Sequence, residues 1–250
     1  MPTPTEIAVI VDGPVGTITL DRPQALNAIT PTMLGELNQA ADDLAKDPDV
    51  RVVVLTGRGR AFSAGVDLKA LGTQALEGGK VGDILDLPAR RFTEALSSMP
   101  KPVIAAVNGF CFTGALELVL ACDLAVVAEE AKLGDTHARW GLRPTWGMSQ
   151  RLPRAVGIAR ARELSYTART FTGREAVEYG LAVRAVPAEG LEAAVAELVA
   201  ELLPNSGESF VAYKDLYRAA GREGLAAGLA YEYGAEFPFT DTNERLADFR

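Results

Sequence analysis

At 250 residues the chain is long enough for one large domain, or a domain with an appendage, and for a sizeable buried core. Hydrophobic content of 48% and charged content of 23% fit an ordinary globular protein rather than a disordered or membrane-spanning one. A formal net charge of −8 argues against nucleic acid or an anionic membrane surface as the main partner, so an anionic ligand needs a local cluster of Lys and Arg.

Ile7 to Val11 and Val15 to Leu20 are short β-type runs separated by Asp12-Gly13-Pro14, which reads as a hairpin. The segment before them, Met1 to Glu6, has no basic region leading into an apolar run, so no secretory leader is expected. Thr30-Pro31 opens a helix, with proline tolerated in its first turn. Met33, Leu34, Leu37, Ala41 and Leu44 recur at helical spacing until Asp47-Pro48 stops it. Val52 to Thr56 has the pattern of a buried strand and ends in the loop Gly57-Arg58-Gly59-Arg60. Residues 72–87 carry four glycines and little periodicity, which predicts a mobile surface loop. Arg90 to Met99 reads as a helix, Val103 to Val107 as a strand, Gly114 to Ala121 as a helix and Asp123 to Ala128 as a strand. From residue 157 onward Ala, Leu, Arg and Glu dominate, predicting a mainly helical C-terminal third. Strands alternating with helices, with no linker-like shift in composition, indicate an α/β core followed by a helical region. Two cysteines, Cys111 and Cys122, make no disulfide framework and are expected as buried free thiols. No apolar run is long enough for a bilayer span, and a cytoplasmic location is expected.

Two segments carry the chemistry. Ala61-Phe62-Ser63-Ala64-Gly65-Val66-Asp67-Leu68 places small residues around Gly65, where a backbone can approach a ligand closely. In Asn108 to Glu117, Thr113 is a candidate N-cap, which leaves the Gly114 N–H among the unpaired donors of a helix's first turn. Such donors favour negative charge. Glu117, three residues on, sits on an otherwise apolar helix, so its carboxylate must be paired, solvated in a cleft or functional; a cap for its own helix is the plain alternative. His137 is the only histidine. A lone histidine is most often structural, and Asp135 beside it makes no metal site without a third ligand. A Ser63–His137 hydrolase arrangement has no Gly-x-Ser-x-Gly elbow behind it.

Taken together the chain resembles the crotonase superfamily, the enoyl-CoA hydratase/isomerase group. The resemblance runs through Arg22-Pro23-x-x-Leu26-Asn27-Ala28 and Pro100 to Gly109, then Glu117 and Ala121-Cys122-Asp123-Leu124. It continues through Gly141-Leu142-Arg143-Pro144, Gln150 to Gly157 and Gly173-Arg174-Glu175-Ala176. It implies a crotonase-like α/β spiral of repeated ββα units over residues 1–195. A helical region over 196–250 would serve trimerisation and cover the site, giving homotrimers or dimers of trimers. The partner it implies is an acyl-CoA substrate, with the CoA arriving as part of that substrate and no metal or other cofactor. By position, the backbone N–H groups of Val66 and Gly114 would form the oxyanion hole, where loss of one donor typically costs about 10²–10³ in rate. Ala28, Ala64, Asp67 and Leu68 would line the CoA groove, Lys69 would meet the nucleotide phosphates, and the loop 72–87 would cover the acyl channel.

The pattern departs from the family in three places. Hydratases of the family manage water with two glutamates; the first is kept as Glu117, and the second position reads His137 in Gly134-Asp135-Thr136-His137. Thr113 and Ala115 flank Gly114 where the family often has glycines, and Trp146 stands where smaller residues are usual and would narrow the acyl pocket. An imidazole, with an ordinary pKa of about 6.5, can serve as acid or base near neutrality. The implied activity is therefore hydration of an enoyl-CoA by Glu117 and His137, with an isomerase or a non-catalytic acyl-CoA-binding paralogue as alternatives.

Overall fold

The structure is a computed structural model that describes residues 5–69 and 76–247. It opens with the expected hairpin, β1 (Ile7–Asp12) against β2 (Val15–Leu20), antiparallel with Ile7 opposite Leu20. Helix α1 (Pro31–Lys46) begins where predicted: the Thr30 hydroxyl accepts from the Met33 N–H at 3.0 Å, and Pro31 fills the first turn. Met33, Leu34, Leu37, Ala41 and Leu44 are all buried, so the helical spacing read in the sequence is the core face.

Three successive passes then follow one plan, a strand in a large sheet and a short strand in a second sheet. The first is β3 (Val52–Gly57), β4 (Ala61–Ser63) and helix α2 (Asp83–Ser98). The second is β5 (Val103–Val107), β6 (Phe110–Phe112) and α3 (Gly114–Val119). The third is β7 (Leu124–Ala128) and β8 (Lys132–Gly134), leading through a 3-10 turn at His137–Trp140 into α4 (Met148–Val156) and α5 (Ile158–Thr167). The chain continues through β9 (Phe171–Thr172), α6 (Gly173–Glu178), β10 (Arg184–Val186), α7 (Leu191–Leu202), α8 (Gly207–Ala220), α9 (Leu225–Gly234) and α10 (Thr242–Arg245). Among the described residues the larger sheet has order β1-β2-β3-β5-β7-β10 and the smaller β4-β6-β8-β9. This is the α/β spiral of ββα turns with a helical C-terminal region that the resemblance implied.

From β2 to β10 the large sheet is parallel and covered on both faces, which is why Val52 to Leu55 and Val103 to Val107 read as unbroken apolar runs. One face packs on α1, α2 and α3. On the other, Val52, Val54, Ile104 and Val126 meet Leu191, Val195, Leu198 and Val199 of α7. Residue 195 therefore falls inside a helix that lies on the sheet along its length.

Three expectations need correction. The predicted loop 72–87 ends at Gly82, and residues 72–75 of it lie outside the described residues. Residues 83–87 are already helix α2, whose buried Leu85, Ala89, Phe92 and Leu96 have helical spacing. Clustered glycines and Pro88 hid that face; Pro88 sits inside the helix and its carbonyl takes the Asn38 side-chain amide at 2.9 Å. The C-terminal third is mainly helical as predicted, but β9 and β10 interrupt it and extend the two sheets. Of the cysteines, Cys111 is buried as expected and Cys122 only half-buried; both are free. Among the described residues no helix is long and apolar enough to cross a membrane.

Candidate active site

Val66 lies in a crossing of two chain segments. It forms a parallel bridge with Ile29, in which the Ile29 N–H donates to Gly65 O at 2.8 Å and the Asp67 N–H donates to Ile29 O at 2.9 Å. In a parallel ladder those bonds flank Val66, so its own N–H faces the opposite side. Among the described residues that N–H has no protein acceptor. Gly65 must be glycine here: its φ is +93°, and a Cβ would stand 2.8 Å from Phe112 O.

The second donor heads α3. Gly114 is the first residue of that helix, and its N–H likewise has no protein acceptor among the described residues. Thr113 before it does not cap the helix with its side chain, contrary to expectation. Its backbone is at φ +53°, ψ −110°, a region costly to a residue with a Cβ. Two bonds hold it there: the Thr113 N–H donates to Gly134 O at 2.9 Å, and its hydroxyl pairs with that of Thr136. The indole of Trp146 lies directly on Gly114, so a Cβ at that position would meet Trp146 Cζ3 at 2.5 Å.

Glu117 is buried one turn into α3, with 1% of its surface exposed. Its Oε1 accepts from the backbone N–H groups of Trp146 at 3.0 Å and Met148 at 2.8 Å, at the start of α4. The carboxylate therefore caps a helix, but α4 rather than its own. One oxygen is fixed by these bonds. The other, Oε2, stands 3.8 Å from Nε2 of His137. Burial pushes the Glu117 carboxyl up to about 7, against the opposing pull of the Met148 N–H, the His137 charge and the Trp146 N–H.

His137 opens the 3-10 turn after β8 and is held from behind. Its Nδ1 is 2.7 Å from Asp135 Oδ1, which also accepts the His137 backbone N–H at 3.2 Å. Asp135 Oδ2 accepts from the Ser165 hydroxyl of α5 at 2.6 Å. Burial raises the Asp135 carboxyl, but hydrogen bonds from His137 and Ser165 outweigh it and leave the group below its ordinary range. On the other side of the cavity the Trp146 indole N–H donates to buried Asp86 Oδ1 at 2.9 Å, which also takes the Thr145 hydroxyl at 2.6 Å.

Val66, Gly114, Glu117, His137 and Trp146 line one cavity of about 150 Å³, together with Ala64, Leu68 and Thr136. Ala28, Asp67 and Lys69 stand outside its walls. Arg22 ties the first two together, donating to Ala28 O at 2.6 Å and to Asp67 Oδ2 at 3.1 Å. Lys69 is exposed, with its backbone N–H on Asp67 Oδ1. Ser63 is buried, accepts the Gly65 N–H at 3.1 Å, and is not among the partners of His137. Sequence reasoning missed Asp86, Ser165 and the part played by Asp135; only Asp135, two residues before a lone histidine, left a local trace.

The enoyl-CoA hydratase/isomerase family model matches residues 11–245. The chain belongs to that family. Among its relatives, the Mycobacterium bovis protein named "Probable enoyl-CoA hydratase echA8" is 35% identical over 241 residues, covering 95% of this chain and 92% of the relative. The crystal structure of an enoyl-CoA hydratase from Bacillus anthracis superposes with a TM-score of 0.86 at 35% identity, covering 91% and 88% of the two chains. A Thermobifida fusca protein solved in complex with CoA gives a TM-score of 0.80 at 34% identity, covering 98% and 94%. Family membership accounts for the spiral and for a shared binding scaffold, while the reaction rests on the side chains of this site.

Proposed function

We propose that the protein is an enoyl-CoA hydratase in which Glu117 and His137 together manage the water. The observation that carries this reading is the 3.8 Å gap between Glu117 Oε2 and His137 Nε2 on the wall of a cavity that also holds the Val66 and Gly114 amides, unpaired among the described residues. That gap is too long for a direct hydrogen bond, yet one oxygen can sit about 2.8 Å from both atoms. The water would add to C3 of the enoyl thioester while a proton is delivered to C2. The negative charge that passes to the thioester oxygen would rest on the two amides, which are already unpaired and need no reorganisation. An isomerase needs one base and leaves the second group without a task.

The CoA arrives with the substrate, and the chemistry calls for no metal or redox group. Ala28, Asp67 and Leu68 would contact the CoA moiety and Lys69 its phosphates. Trp146 would limit the acyl group, since 150 Å³ is small for a ligand cavity. Residues 196–250 would carry the trimer contacts: α8 and α9 expose Tyr213, Tyr217, Leu225 and Leu229 along an apolar groove of about 740 Å³.

The test follows the conjugated-thioester absorbance of short and long trans-2-enoyl-CoAs. Loss of that absorbance with formation of the 3-hydroxyacyl product, abolished by Glu117→Gln and by His137→Ala, is the expected result. Migration of the double bond would instead identify an isomerase. Thermal stabilisation by acyl-CoA without turnover would identify a binder.

A further inference from the structure

His137 and Glu117 do not enter the cavity on equal terms. Glu117 Oε1 is bound by two backbone amides, while the histidine ring is gripped by a side chain that itself has a second partner. An ionised carboxylate can only accept hydrogen bonds, so the ring nitrogen facing Asp135 must carry the proton. In the neutral imidazole the other nitrogen is then a bare lone pair. That nitrogen is Nε2, the one on the Glu117 side.

We propose that Asp135, braced by Ser165, is a positioning residue that holds His137 in the Nδ1–H tautomer, so that Nε2 takes the proton from the attacking water and Glu117 supplies the proton to C2. The proposal rests on the hydratase reading for its reaction, but the tautomer itself does not. Asp135 is 2% exposed, and each of its oxygens has a partner. The local backbone assists: the Asp135 carboxylate also takes the N–H of residue 137, folding the aspartate over the start of the 3-10 turn. The ring forms part of the wall between the small cavity and a larger apolar groove that Asp135 and Ser165 border.

The step balances. Water gives one proton to Nε2 and its oxygen bonds to C3; the π electrons pass through C2 to the thioester oxygen. The enolate then collapses as C2 takes the proton of the Glu117 carboxyl, which burial holds up to about pH 7. Return of the proton from Nε2 to Oε2 through the next water to enter the 3.8 Å gap resets both groups. No other reactant is needed.

Because the chain has a single histidine, ¹⁵N-histidine labelling reads this ring alone. Spectra recorded at a pH where the ring is neutral should show the proton on Nδ1 in the wild type. Asp135→Asn can present an amide N–H to Nδ1, and should move the proton to Nε2. The same variant should lower kcat by roughly 10²–10⁴ with KM little changed, since the wrong tautomer has no lone pair toward the water. Ser165→Ala should keep the tautomer and lower kcat less than tenfold. A wild-type ring protonated on Nε2 overturns the proposal, as does a folded Asp135→Asn variant whose tautomer is unchanged. If Asp135→Asn does not fold, the wild-type spectrum alone decides. A ring with the expected tautomer in a protein that hydrates nothing would sink the hydratase reading and leave the positioning role standing.

Discussion

The two sides of the cavity are built from different materials. On the side formed by Val66 and Gly114, the functional groups are backbone amides, and side chains matter only by leaving room for them. On the side formed by Glu117, His137 and Asp135, the groups are buried side chains whose orientation depends on partners far along the chain. The first side can accept threonine at residue 113 because the backbone path survives. The second side carries an imidazole where the resemblance implies a carboxylate, with an aspartate behind it. Backbone donors resist substitution through geometry, whereas acid/base pairs are preserved only if their supports change with them.

The harshest way to break the backbone side is Gly114→Ala. The added Cβ would meet the Trp146 ring at 2.5 Å, so either the ring or the helix start must move. Turnover should fall by about 10³ or more and stability by about 1–3 kcal/mol. Enzyme kinetics and a melting curve measure both, and on a Trp146→Ala background, itself destabilised by the cavity it leaves, Gly114→Ala should cost little further stability. If Gly114→Ala melts like the wild type, the described contact between ring and glycine is wrong.

The side-chain wall is sharpened by Glu117→Gln. Gln keeps an oxygen for the Trp146 and Met148 amides but cannot give or take the catalytic proton, so kcat should fall by roughly 10²–10⁴. Stability should move in the opposite sense as pH rises. The folded state holds the Glu117 proton up to about pH 7, while the unfolded chain releases it near the ordinary glutamate value of 4.5. Below 4.5 the wild type bears no penalty, and stability is lost progressively as pH rises to about 7, on the order of 3 kcal/mol. Melting temperatures of the two proteins across that range should diverge, the variant gaining on the wild type. Parallel curves would show that Glu117 ionises freely in the fold.

A gentler probe of the same wall is Trp146→Phe. It removes the indole N–H from Asp86, whose carboxylate is already short of partners because Oδ2 has none among the described residues. A loss of about 1–3 kcal/mol is expected from leaving Asp86 further unsatisfied. The smallest effect belongs to residue 113. At φ +53° glycine is free of strain, so Thr113→Gly should be more stable than Thr113→Ala by about 1–2 kcal/mol, both variants having lost the bond to Thr136. Equal melting temperatures would show that the strain is absent.

What the sequence revealed follows from how local each feature is. Helix α1 and strands β2, β3 and β5 were legible because each carries enough apolar residues at one period to declare itself. Strands β4, β6, β8 and β9 were not, since two or three residues show no period and their partners are distant in the chain. Val66 and Gly114 were found through motif resemblance, and that both of their amides lack protein acceptors among the described residues could be known only from the fold. Glu117 was found as a carboxylate on an apolar helix, but its bonds cross 29 and 31 residues to α4. The Asp135–Ser165 bond crosses 30 residues, and the Trp146 ring reaches Gly114 from a loop with no regular structure. Local pattern identified the residues; long-range packing decided what each one touches.

The central claim is that Glu117 and His137 form one coupled acid/base pair in hydration, each needing the other to complete a turnover, and a double-mutant cycle in enoyl-CoA hydration tests it most directly. Residues that act as a unit lose most of their effect with the first removal, so Glu117→Gln with His137→Gln should be no more than several-fold slower than either single variant. Losses that multiply across the two substitutions would show that the groups act independently and would contradict the account.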